Sequence, residues 1–152
     1  MMGQHSPAGR AFTRLVLSVF RLNGRLLAAG DRMAATAGQS SARWQVLGVI
    51  DHGPHTVAGV ARAMGLARQS VQRTADRLVA EGLAAYLGNP ADRRADLLRM
   101  TSRGRTVLRK IERAQYVWAN RLGKDIGTHR LIAAQEVLDR VTAAIGSTRN
   151  SG

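Results

Sequence analysis

The 152-residue sequence has no cysteine, which excludes disulfides and thiolate-bound metals. It also has no apolar run near the ~18 residues that a membrane span needs, and residues 1–9 lack the apolar core of a signal peptide. A cytoplasmic protein without membrane attachment is the expectation. Motifs for chemistry are missing as well. There is no phosphate-binding glycine loop, no His-Glu-x-x-His pair and no nucleophile–base pattern, and the ten acidic residues are scattered. Neither catalysis nor a cofactor is expected. His52 and His55 are the only closely paired histidines. Without a carboxylate cluster beside them they suit a loop or helix end better than a metal. Acidic residues are also scarce relative to basic ones, 10 against 23, for a net charge of +13. That balance favours polyanionic partners. The excess is spread along the chain, however, with eight arginines in residues 57–104 and nine basic residues in 105–152. Charge alone therefore does not locate a binding face.

The stretch from Thr56 to Gly104 carries the clearest organisation. Thr56 suits an N-cap, and Val57, Val60, Ala61 and Met64 follow at helical spacing. Gly65 can end that short helix by adopting positive φ, with Leu66 plugging the corner. The next helix turns Val71, Ala75, Leu78 and Val79 inward. Arg68, Gln69, Gln72, Arg73, Asp76 and Arg77 then lie on its other side, and Glu81-Gly82 closes it. Two helices joined by a short glycine-bearing turn form the helix-turn-helix pattern. Two short apolar runs follow, 83–87 and 95–100, separated by the turn-rich segment Gly88-Asn89-Pro90-Ala91-Asp92-Arg93-Arg94. A hairpin tipped by two arginines suits a phosphate backbone or a narrow minor groove. Thr101 or Ser102 can then cap another helix.

Asp92-Arg93-Arg94, the trailing Met100-Thr101-Ser102-Arg103-Gly104-Arg105, and Val71 to Leu78 with Glu81-Gly82-Leu83 resemble the MarR family (multiple antibiotic resistance regulators). The resemblance extends over nearly the whole chain. It implies a mostly α fold with a small β-hairpin wing, a winged helix-turn-helix flanked by N- and C-terminal dimerisation helices. Residues 40–104 would form the DNA-binding lobe, and 10–38 and 105–146 the dimerisation helices of a homodimer. The peroxide-sensing thiols of some family members are excluded here by the lack of cysteine.

The flanking segments fit that plan. Met1–Gly9 is expected to be a frayed tail, with a helix from about Arg10. Phe12, Leu15, Val16, Val19, Phe20, Leu26, Leu27 and Met33 recur along it at three- and four-residue steps. So broad an apolar surface suggests burial against another subunit. Gly24 and Gly30 within it suggest a kink or a close helix contact. Ser40 or Ser41 opens the next helix, which ends near Gly53-Pro54 and carries Trp44 as a structural anchor or cavity wall. After the wing a long helix runs to a break near residues 123–127. Thr128 can cap the last helix, Gly146 can stop it, and residues 147–152 make a polar tail.

Placed on double-stranded DNA, the second helix of the pair enters the major groove. Arg68, Gln69, Gln72 and Arg73 are the candidates for base edges, since Arg pairs with guanine and Gln with adenine. Ser70 and Arg77 suit the backbone, and Arg93 the minor groove. Arg94 reaches DNA or is held by Asp92 or Asp76. Ala67 stands where family members often have Ser or Thr, which removes a cap and a phosphate contact. The resemblance further implies a repressor of a pseudo-palindromic operator, relieved by a small aromatic or anionic effector. Leu26, Met33, Arg43, Trp44, Leu47 and Tyr116 are the candidates for that pocket, each apolar one equally suited to the core. A winged helix used as an architectural or protein-interaction module is the alternative.

Overall fold

The computed structural model describes residues 5–147. Among them six helices and three short strands follow in the order α1 (Pro7–Ala35), α2 (Ser41–Ile50), β1 (His55–Thr56), α3 (Val57–Met64), α4 (Arg68–Ala80), β2 (Ala84–Leu87), β3 (Leu97–Met100), α5 (Ser102–Ile126) and α6 (Thr128–Ser147). The chain divides into two compact units at the Glu112–Arg113 step. No helix among the described residues is long and apolar enough to cross a membrane.

Helix boundaries follow local chemistry. Ser6 Oγ accepts the Gly9 N–H at 3.1 Å, and Pro7 sits at the first helical position, where a missing N–H has no partner to lose. α1 therefore starts ahead of Arg10, and residues 7–9 are helical rather than frayed. Residues 1–4 of the expected tail lie outside the described residues. Ser40 caps α2 by accepting from Arg43 N, and Thr56 caps α3 by accepting from Gly59 N at 3.0 Å. α3 stops at Gly65 (φ +64°), and Leu66 N returns to Ala61 O at 3.0 Å. The Leu66 side chain is 40% exposed, so it does not plug the corner. Gly127 (φ +100°) separates α5 from α6. Thr128 is the first residue of α6 rather than its cap, and α6 continues through Gly146 to Ser147. The polar tail expected beyond it, residues 148–152, lies outside the described residues.

The sheet has three strands, where the turn signals pointed to a hairpin alone. β3 is central, with Tyr86 opposite Leu98 and Leu87 opposite Leu97 on the β2 side, and His55 opposite Leu98 on the β1 side. A two-residue strand has no periodicity to announce it. It exists because the β3 edge offers it a ladder.

The core of the first unit gathers Val46, Leu47, Ile50, Val60, Val71, Ala75, Leu78, Leu98 and Leu108 from α2, α3, α4, β3 and α5. Each fully buried leucine is worth ~1.5–3 kcal/mol relative to exposure. Since Val71, Ala75 and Leu78 contribute to this core, the angle of α4 is set by packing. Gly30 is buried where α1 meets α2, and a Cβ there would collide with Ser41 Oγ. Next to it, Asp31 Oδ1 accepts the Ser41 N–H at 2.7 Å. At Gly30 the close helix contact is present; Gly24 faces open space.

Candidate nucleic-acid interface

Burying Val71, Ala75 and Leu78 forces the opposite stripe of α4 outward. Arg68, Gln69, Ser70, Gln72, Arg73 and Arg77 are all exposed. The side chains of Arg68, Gln69 and Arg77 have no hydrogen-bond or ion-pair partner among the described residues, and Arg73 reaches only Ser70 Oγ, at 3.5 Å. The start of α4 is uncapped, since Ala67 offers no side-chain acceptor. Its first-turn N–H groups and their share of the helix dipole therefore remain free for an anion.

Gln72 differs from its neighbours. Its Nε2 donates to Asp76 Oδ1 at 3.0 Å and to the Tyr86 hydroxyl at 2.9 Å, and that hydroxyl donates to Asp76 Oδ1 at 2.6 Å. The triangle ties α4 to β2. Burial, followed by the hydrogen bond and charge of Asp76, pushes the Tyr86 pKa up to about 12. Next to this network lies a cleft of about 240 Å³ with Arg68, Gln72, Tyr86, Arg94 and Asp96 on its walls.

The wing is shaped by its own side chains. Asn89 Oδ1 accepts from Ala91 N at 3.1 Å and Asp92 Oδ1 from Arg94 N at 2.9 Å. Of the two alternatives for Arg94, DNA or an ion pair with Asp92 or Asp76, the ion pair is not formed. Asp92 binds its backbone, Asp76 is taken by Gln72 and Tyr86, and the guanidinium is left without a partner among the described residues. Arg93 is likewise exposed and unpaired there.

A lock behind the wing explains the Thr-x-x-Gly spacing. Thr101 Oγ1 donates to Gly82 O at 2.7 Å and accepts from Gly104 N at 3.1 Å, while Thr101 N donates to Leu83 O at 3.1 Å. Gly104 is buried so close to Leu83 that a Cβ would run into its carbonyl oxygen. The end of α4, the base of β3 and the start of α5 are thereby joined.

Ion pairs hold α2 in the same frame. Arg43 meets Glu81 at 2.9 Å, at the C-terminus of α4. Asp51 meets Arg105 at 3.1 Å and Arg109 at 3.2 Å. The Arg109 pKa is raised, chiefly by its hydrogen bond to Glu112. Of the residues considered for an effector, Leu47 is fully enclosed in the core and Trp44 is half-buried against it. Arg43 is engaged by Glu81 and Gln39, Met33 is half-buried, and Leu26 is exposed. Tyr116 belongs to the second unit and is exposed within it. Sequence reasoning missed Tyr86, Glu81 and Asp51, whose partners lie 10 to 58 residues away. The one available signal was a tyrosine in an otherwise aliphatic strand.

Fold and exposed face together define a winged helix-turn-helix DNA-binding protein. The model of the MarR family matches residues 38–95. An uncharacterized protein of Mycobacterium tuberculosis (strain ATCC 25618 / H37Rv) is 40% identical over 136 residues, covering 90% of this chain and 95% of that protein. Among solved structures, a MarR family transcription regulator matches with a TM-score of 0.80 at 17% identity, covering 94% of this chain and 95% of its own. The transcriptional repressor CouR bound to a 23-mer DNA duplex matches with a TM-score of 0.76 at 22% identity, over 91% and 99% of the two chains. CouR from Rhodococcus jostii RHA1 bound to p-coumaroyl-CoA matches with a TM-score of 0.75 at 22% identity, over 84% and 90%. The chain belongs to the MarR family, and it is a winged-helix, DNA-binding transcriptional regulator.

Proposed function

We propose that this protein is a homodimeric repressor that reads a pseudo-palindromic operator and is released from it by a small-molecule effector. The observation that carries this reading is the row of unpartnered, exposed Arg68, Gln69 and Arg77 on a helix held rigidly from behind, with unpaired Arg93 and Arg94 on the wing. α4 enters the major groove. Arg68, Gln69, Gln72 and Arg73 meet base edges, Ser70 and Arg77 meet phosphates, and the wing lies along the adjacent minor groove. In this reading residues 40–104 are the DNA-binding lobe, and 10–38 and 105–146 make the dimer.

The support for a dimer is apolar surface. On α1, Phe12, Leu17, Phe20, Leu22, Leu26 and Leu27 are exposed, and on α6 Leu131, Ile132, Val137 and Ile145 are exposed. Monomeric proteins rarely leave so many large apolar side chains of one helix in water, and a second copy covers them. Two-fold symmetry sets the recognition helices about 34–36 Å apart, one turn of DNA. Effector release rests on family membership and on the likeness to a regulator solved with a bound small molecule. An aromatic or anionic effector acts by binding one spacing of the recognition helices better than the other. Arg43, Trp44, Met33 and Leu26 are its candidate contacts in the first unit.

Hydroxyl-radical footprinting on a genomic fragment enriched by the purified protein tests the reading. Two protected patches one helical turn apart, with two protomers per fragment, are expected. Protection without sequence preference would refute it in favour of an architectural role.

A further inference from the structure

We propose that Asp76 and Tyr86 are positioning residues that turn the Gln72 amide so that its carbonyl oxygen faces the DNA, which selects an amino-bearing base (adenine or cytosine) at one position of each half-site. The proposal rests on α4 entering the major groove.

An ionised Asp76 accepts only. The Tyr86 hydroxyl gives its proton to Asp76 at 2.6 Å, so it turns a lone pair toward Gln72. Both groups facing Gln72 are therefore acceptors, and only its Nε2 satisfies them, at 3.0 and 2.9 Å. A flipped amide would set Oε1 against a carboxylate and a hydroxyl lone pair, and would leave Tyr86 without the donor it accepts from. The raised pKa of Tyr86 keeps its proton in place throughout the neutral range.

A solvated glutamine shows the groove its NH₂ or its carbonyl with equal ease, as Gln69 does with no partner of its own. Gln72 is exposed yet anchored, and its Oε1 is the end left for a ligand. In the major groove adenine N6 and cytosine N4 donate, while guanine O6 and thymine O4 accept. The anchored carbonyl pairs with the first two and repels the others. The network also reaches from α4 to β2, so the wing strand takes part in specificity without touching a base.

The test is selection from a randomised duplex library, followed by sequencing, with the wild type, Gln72→Ala, Asp76→Asn and Tyr86→Phe. Gln72→Ala identifies the position by losing preference there alone. At that position the wild type should favour adenine or cytosine by ~2–12-fold, the range of a single neutral hydrogen bond. Asp76→Asn offers its own amide N–H₂ to Oε1 and permits the flip, so discrimination there should fall to near parity while other positions keep theirs. Tyr86→Phe should weaken it in the same direction, and thermal melting verifies that each variant folds. If the wild type enriches no sequence, the underlying reading of α4 fails. If it enriches a site and both positioning variants keep the preference, or lose affinity uniformly across all positions, or if guanine or thymine stands there, this inference alone is overturned.

Discussion

Replacing Gly104 with alanine should destabilise the protein by about 2 kcal/mol. The new Cβ would meet Leu83 O and Leu83 C, which are backbone, and the Met100 side chain. Overpacking a tight site costs ~1–3 kcal/mol, and a backbone obstacle that cannot rotate away places Gly104 near ~3. Alanine in place of glycine within a helix returns ~1 kcal/mol. The remainder corresponds to a fall in Tm of ~4–8 °C for a chain of this size. The same carbonyl accepts from Thr101 N at 3.1 Å, so wing placement and DNA affinity should suffer with it. Gly48→Ala is the control. Gly48 is a helical glycine with nothing within 4 Å of its missing Cβ, so the substitution should stabilise by ~0.5–1 kcal/mol. Thermal unfolding of both variants at one protomer concentration decides the matter. Gly104→Ala as stable as the wild type, or both variants shifted the same way, would refute the reasoning.

Other perturbations address the remaining parts of the account. Arg77→Ala should weaken binding to every duplex alike and lower the slope of log K against log salt by ~1, read from anisotropy titrations. An unchanged slope would remove Arg77 from the phosphate backbone. Phe20→Glu places a charge on the exposed apolar face of α1, where Phe20 is 67% exposed, and should turn the proposed dimer into monomer in sedimentation. Tyr86, raised from 10.0 to about 12, favours the folded state in its neutral form. Its contribution is fully present below pH 10 and is lost as pH rises toward about 12. Urea unfolding should show a steeper loss over that window for the wild type than for Tyr86→Phe.

How much of this the sequence discloses depends on range. Ser40, Thr56 and Gly65 act within three or four residues, and each marks its helix end where the local pattern places it. The inward stripe of α4 is equally local, because 3.6-residue periodicity alone assigns Val71, Ala75 and Leu78 to the core. The start of α1 is missed because Ser6-Pro7 lies in a polar stretch where apolar periodicity has not begun. β1 is hidden because two residues carry no period. The Gln72–Asp76–Tyr86 triangle and the Arg43–Glu81 pair are beyond reach for another reason. Gln72 and Asp76 are neighbours on α4, but Tyr86 and the Arg43–Glu81 pair reach their partners only after α2, α4 and β2 have packed. The fate of Arg94 turned on that packing too, since Asp76 had already been claimed by Tyr86.

The central claim, a dimer that reads sequence, is tested most directly by fluorescence anisotropy at about 150 mM salt, where specific and non-specific binding separate. Duplex from upstream of the protein's own gene is compared with a scrambled duplex of equal length and composition. The account predicts a preference of ~10³-fold or more with two protomers per site. Equal, steeply salt-dependent affinity for both duplexes, on any enriched genomic fragment, would contradict it.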